Sequence, residues 1–240
     1  KLEKANYSLN QKVITDSAGI NILKNSGQGK PGVLVSAGPS LDLILPHLHR
    51  IQKDFLIACV DTALPILAKN NIQPDYVFSL DPQLDSAEYF IEYPTEKTRL
   101  VFTPTVNHNV LKIFSGERYV VYKEGHHLSK DSESAMKEKG TTQAGGSVAC
   151  LALDMLVHFG CDPIFLTGQD CAFAGKRYYS NHSQFNQKLQ DRIARMMPLE
   201  KLHREKAQEK KQLTVKCTQG NPLLTDQVMY SYLRTLEHII

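Results

Sequence analysis

The sequence of 240 residues predicts an α/β protein: a mostly parallel sheet with helices on both faces and a helical lid. Three observations carry that expectation. Short β-rich runs recur at 33–36, 55–60, 76–80, 100–103, 119–122 and 164–167, most of them separated by helical segments such as 41–51 and 62–70. The stretch 145–159 is rich in small and apolar residues (Ser147, Ala149, Leu151, Ala152, Met155, Leu156), as a well-buried helix lying close on a sheet would be. Residues 175–211 are polar, basic and without strand pattern, which suits an excursion above the sheet.

Each element follows in order. Apolar positions at helical spacing over 7–23 predict a leading helix, and the breaker stretch 25–32 ends it. The first strand runs into "AGPS", where Gly38 and Pro39 punctuate the start of the next helix. Gly160 closes the buried helix and Pro163 opens the last core strand. "KCTQGNP" at 216–222 marks a turn, and helical periodicity returns over 226–240 behind a cap at Thr225. The expected organisation is a leading helix and linker at 1–30, a Rossmann-like nucleotide-binding core at 31–172, a lid or insertion at 173–212, and a strand, turn and helix at 213–240 completing the core.

Composition narrows the function classes. A net charge of +3 is too weak for a nucleic-acid binder, and no run approaches the roughly 18 apolar residues of a membrane span. Five scattered cysteines without a CxxC spacing suggest neither a disulfide framework nor a zinc site, and fit the cytoplasm. The chain opens on Lys1 and closes on Ile240 inside an apparent helix, so both ends read as cut from a longer protein.

Ligands of open α/β sheets sit outside the carboxyl ends of the strands, so the polar residues there are the candidates. Gly38-Pro39-Ser40 forms a strand-to-helix turn whose N–H groups suit a phosphate, or is a plain turn with a serine cap. Asp61, roughly 20 residues on, is placed either to hold a ribose hydroxyl or to cap the following helix. Ser79 and Asp81-Pro82 end the third strand, where the acid can read a base or sugar, bind a metal, or start a turn. Gly145, Gly146 and Ser147 precede the buried helix and make a second anion site, or serve its close packing. Gly168, Gln169 and Asp170 bring two polar side chains to the rim, where they belong to the pocket or anchor the loop. Beyond them Tyr178, Tyr179 and His182, near Lys176 and Arg177, can close over a phosphate and supply a base.

Taken in order, "GPSLDLILPHL", "DTALPILAKNNIQPDYVFSLDPQ", "GGSVACLALDMLVHFGCDPIFLTGQDCAF" and "GNPLLTD...YLRTLE" resemble the motility accessory factor proteins. These are flagellin glycosyltransferases whose central domain is shared with archaeal hydroxymethyl-dihydropterin diphosphokinases. The pattern is more distantly similar to bacterial sialyltransferases using a CMP-activated acidic sugar. That resemblance implies a phosphate-stabilising role for Tyr178 and a catalytic base at His182. The chain departs from it at Ala37, Asp61 and Asp81, each in place of an asparagine, and at Ala172 in place of a lid tyrosine.

The resulting expectation is a cytoplasmic transferase that moves a nonulosonate from its CMP donor to a protein hydroxyl such as one on flagellin. In it the turn 38–40 and Tyr178 hold the phosphate, Asp61, Asp81 and Gln169 orient the donor, and His182 takes the proton. The alternatives are a diphosphokinase using ATP and Mg²⁺ bound by Asp61, Asp81 and Asp170, and a nucleotide-binding scaffold without catalysis. No nucleic-acid or membrane partner is expected.

Overall fold

The computed structural model describes residues 1–91, 93–129, 132–143, 146–173, 179–184, 211–217 and 220–240. A seven-stranded sheet organises them. Its strands are β1 (Ala18–Gly19), β2 (Gly32–Val35), β3 (Leu56–Val60), β4 (Tyr76–Ser79), β5 (Arg99–Phe102), β6 (Arg118–Val120) and β9 (Ile164–Thr167), in the order β1-β6-β5-β4-β3-β2-β9. Every pairing in it is parallel. The six predicted strands are all present, and their residues explain why. β2, β3 and β4 are buried at every position, so an apolar run needs no alternation where helices cover both faces. β9 lies at one edge of the sheet and leaves Phe165 half exposed.

The helices are α1 (Leu2–Asp16), α2 (Leu41–Ile51), α3 (Leu64–Lys69), α4 (His108–Ile113), α5 (Ser132–Lys139), α6 (Val148–His158) and α7 (Gln227–Ile239). None of the described helices is long and apolar enough to cross a membrane. α2 buries Leu41, Leu45 and Leu48 at helical spacing and exposes Leu43 between them. α6 packs across β2, β3 and β4 and against α7. It is buried on nearly every side, from Ala149 to Leu156, as its small-residue composition predicts.

Several boundaries differ from the sequence reading for local reasons. The leading helix starts earlier and stops at Asp16, because Ser17 turns extended and Ala18–Gly19 pair with β6 at the sheet edge. The helix expected at 62–70 begins as a 3₁₀ turn, Asp61–Ala63, and becomes α-helical where Pro65 suits a first turn. The strand expected at 119–122 breaks after Val120, and Tyr122–Lys123 (β7) pairs separately with Thr141–Thr142 (β8). Beyond the core, Gln212–Lys216 (β10) and Pro222–Asp226 (β11) form an antiparallel hairpin about the expected turn. Asp226, not Thr225, caps α7 by accepting the Met229 N–H at 2.8 Å. The Thr225 hydroxyl instead donates to the Cys171 carbonyl at 2.7 Å and ties the hairpin to the end of β9.

α1 is fastened to the loops above the sheet by two buried amides. Asn6 Nδ2 donates to the Pro82 and Thr105 carbonyls at 3.0 and 3.2 Å. Asn10 Nδ2 donates to the Pro104 and Val106 carbonyls at 3.1 and 2.9 Å, and its Oδ1 meets His108 Nδ1 at 2.9 Å. Loss of a buried amide leaves those carbonyls without donors, a penalty that exceeds the net worth of the bonds themselves. Asn10→Ala is therefore expected to destabilise the fold by about 3 kcal/mol, read as a lower urea midpoint. Asn10→Asp, equal in shape but without donors, is expected to lose a similar amount, and an unchanged midpoint in both variants refutes the latch.

Candidate functional site

The loops that leave β2, β3, β4 and β9, together with the first turn of α6 and parts of α7, enclose a cleft of about 550 Å³ over the carboxyl ends of the strands. That volume lies within the range of small-molecule sites. Gly38, Asp61, Asp81, Gly146, Ser147, Gly168, Gln169 and Asp170 all line it. Ser79 lies beneath, fully buried, and donates its hydroxyl to Asp61 Oδ2 at 2.9 Å. Pro39 and Ser40 stand behind the wall rather than on it. Gly145 and Tyr178, with most of the predicted lid, lie outside the described residues.

The phosphate expected at the turn 38–40 meets a carboxylate of the protein's own. Asp170 Oδ2 accepts both the Ser40 N–H at 3.1 Å and the Ser40 hydroxyl at 3.0 Å. The positive end of α2 is thereby matched by an internal anion. Glycine is required in this turn for the same reason. The Gly38 N–H donates to the Gly168 carbonyl at 2.8 Å, and a Cβ on Gly38 would lie 2.2 Å from Asp170 Oδ2 and 2.4 Å from that carbonyl oxygen. Its permissive backbone serves the approach of two loops, not of a ligand.

The first turn of α6 presents its N-terminus to the cleft. Ser147 caps it, its Oγ accepting the Ala149 N–H at 3.2 Å, and residues 146–149 all border the cleft.

Asp61 is the electrostatic centre of the opposite wall. It is 3% exposed, and burial pushes its carboxyl up to about 6, with the charge of Asp81 adding to the rise. The Ser79 hydroxyl and the Thr62 N–H, which donates to Oδ1 at 2.8 Å, pull it back down. Asp81 also starts the Asp-Pro turn, its Oδ1 accepting the Gln83 N–H at 2.9 Å. Gln169 is held in place: Ser36 Oγ donates to its Oε1 at 2.7 Å and its Nε2 donates to Cys171 Sγ at 3.2 Å.

Tyr89, Tyr179 and Tyr232 line the remaining wall, each phenol pushed up by burial first. The Asp61 charge adds to the rise of Tyr89 and Tyr179. Tyr89 and Tyr232 escape a reading of the sequence because they come from a 3₁₀ turn and from α7, far from any strand end. His182 is exposed and does not border the cleft. Its N–H donates to Ser180 Oγ at 3.1 Å, and the Ser180 N–H bonds the Ala37 carbonyl at 2.8 Å, so the segment is tied to the start of α2.

No group of three metal-ligating side chains occurs among the described residues. Asp61 and Asp81 face the cleft, whereas Asp170 is engaged by Ser40. Mg²⁺ commonly takes one or two carboxylates and completes its shell with substrate phosphates and water. Both oxygens of Asp61 already accept protein donors, so Asp81 is the more accessible of the two carboxylates for such a shell.

A parallel sheet with helices around it and a cleft over its carboxyl edge defines a Rossmann-like α/β protein. The chain belongs to the 6-hydroxymethylpterin diphosphokinase MptE-like family, whose model matches residues 5–176. Among solved structures it is similar to the MAf glycosyltransferase from Magnetospirillum magneticum AMB-1. The TM-score is 0.63 at 20% identity, over 90% of this chain and 32% of that one. It is also 28% identical over 85 residues to an uncharacterized protein of Treponema pallidum, covering 35% of this chain and 38% of that protein. The chain thus spans about a third of the length of either.

Proposed function

We propose that the cleft binds a nucleotide-activated sugar, CMP-nonulosonate in the first instance, and transfers the sugar to a protein hydroxyl such as one on flagellin. The observation that carries this reading is the meeting of the α6 N-terminus with Asp61 and Asp81 across one cleft of about 550 Å³. In this reading the first turn of α6 receives the donor phosphate, and Asp81 with the tyrosines Tyr89, Tyr179 and Tyr232 orients the sugar and nucleotide hydroxyls. Asp61, buried with a carboxyl raised to about 6, is the base. It takes the proton of the acceptor hydroxyl as that oxygen bonds the anomeric carbon, and the nucleotide phosphate leaves with the electron pair of the broken C–O bond. His182, exposed and outside the cleft lining, has no proton to move in this scheme. The fold shared with a glycosyltransferase supports the reading without naming donor or acceptor.

A second reading is favoured by the family and by the adjoining carboxylates. Here Asp61 and Asp81 hold Mg²⁺ against the phosphates of ATP, and the pyrophosphoryl group passes to a pterin hydroxymethyl.

A ligand that binds only the folded state raises its melting temperature, so thermal-shift titration separates the readings. CMP or CDP is expected to give the largest shift among CMP, CDP, UDP, ATP and pterins, with release of CMP from a CMP-sugar lost in Asp61→Asn. A shift seen with ATP and pterin alone, and dependent on Mg²⁺, selects the diphosphokinase. Absence of any shift sinks both.

A further inference from the structure

The opposite end of the sheet carries a second cavity, of about 300 Å³, formed by the segments that lead into β2, β3, β4 and β5 and by β6. Its chemistry is the reverse of the carboxylate wall of the main cleft. Lys30, Lys53 and Arg99 contribute to its lining, with Asp75 as the carboxylate among them. One oxygen of Asp75 is already taken by the Ile57 N–H at 2.8 Å. Arg99 is held rigidly, its Nε donating to Glu117 Oε2 at 3.0 Å and its guanidinium lying 5.4 Å from the centre of the Tyr76 ring. Neither Lys30 nor Lys53 has an acidic partner within ion-pair distance among the described residues. With Arg99 paired to Glu117 and Asp75 in the lining, the two ammonium groups without an acidic partner leave the concavity net positive, and such a surface attracts an anion. The partly exposed ring of Tyr119 adds flat apolar area to the same wall, while Tyr76 lies buried beneath Arg99 and against Phe159.

We propose that this cavity is a binding site for a small phosphorylated ligand bearing a planar ring, a nucleoside monophosphate in chemical class. Lys30 and Lys53 meet the phosphate, Arg99 fixes its orientation, the Tyr119 ring receives the base, and the second oxygen of Asp75 accepts a ribose hydroxyl. The site shares no lining residue with the main cleft and lies at the other end of the strands, so it stands whatever the main cleft binds.

The test is a titration of the full chain, ¹⁵N-labelled, with AMP and separately with inorganic phosphate. AMP is expected to move the backbone amides of Lys30, Lys53 and Tyr119 in a saturable way. Lys30→Ala with Lys53→Ala, both exposed positions, is expected to weaken that binding by about tenfold, and added salt to weaken it further. Asp81→Asn is expected to leave it unchanged. Inorganic phosphate is expected to move the same amides with lower affinity. Shifts confined to Gly38, Asp61, Ala149 and Gln169, unchanged affinity in the double variant, or no saturable shift at all overturns the site. Equal affinity for phosphate and AMP overturns the part assigned to the Tyr119 ring.

Discussion

Asp61→Asn is expected to make the protein more stable at neutral pH while removing the proposed transfer. The direction follows from the raised carboxyl. Between about pH 4 and pH 6 the folded chain keeps a proton on Asp61 that the unfolded chain has released. The native state therefore binds more protons than the unfolded state, and stability falls as pH rises through that window. Above it the charged, buried form costs the fold on the order of 3 kcal/mol.

Asparagine keeps both contacts, its oxygen accepting the Thr62 N–H and its amide donating to Ser79 Oγ, while carrying no charge. The variant should gain roughly 1–3 kcal/mol over the wild type at about pH 7.5 and lose that advantage near about pH 4.5. Urea unfolding of the two chains side by side checks it, since other titrating groups cancel in the difference. Transfer should fall by a factor of about 100 or more, as expected when a general base is lost. A variant less stable than the wild type at neutral pH contradicts the assignment of Asp61 as a strained carboxylate.

Gly168→Ala is expected to be the most damaging glycine-to-alanine substitution among the described residues. Gly168 has φ +67°, and a Cβ there would lie 1.9 Å from the Ser36 carbonyl oxygen and 2.7 Å from its carbon. The obstacle is backbone, so no side chain can turn away from it. Because the Ser36 N–H bonds the Thr167 carbonyl and the Gly38 N–H bonds the Gly168 carbonyl, relief requires the β2 and β9 loops to part. A loss on the order of 4 kcal/mol is expected, together with loss of ligand binding in the cleft. Gly29→Ala is the control: its φ is +80° with nothing within 4 Å of the added methyl, so it should lose only the backbone penalty of about 1 kcal/mol. Equal losses at the two positions would show that the loop contact contributes nothing beyond conformational strain.

The sheet was legible because its strands are short apolar runs bounded by breakers, and a parallel sheet places the residue after each run at the same edge. Asp61, Asp81 and Gln169 could therefore be grouped without coordinates, and the cleft does group them. What a strand end does next is not written in its neighbours. The partner of Ser40 is Asp170, 130 residues away, and two polar groups that each look ready for a ligand satisfy one another instead. Tyr232 reaches the cleft from a helix whose position is fixed only by packing on α6, a contact with no local signature. The hairpin strand β10 did carry a signal, the alternation of Leu213 and Val215 with polar residues, within a chain segment dominated by its basic surroundings.

The carboxylate of Asp170 at the head of α2 bears on turnover. With that helix already neutralised, an anion entering the cleft is gripped from the α6 side and meets negative charge across from it. In the transfer proposed above, a phosphate that gains charge as its bond breaks is repelled toward solvent by Asp81 as it becomes a product. On that reading, the asymmetry that limits how tightly the cleft holds a nucleotide also shortens the time a spent one stays.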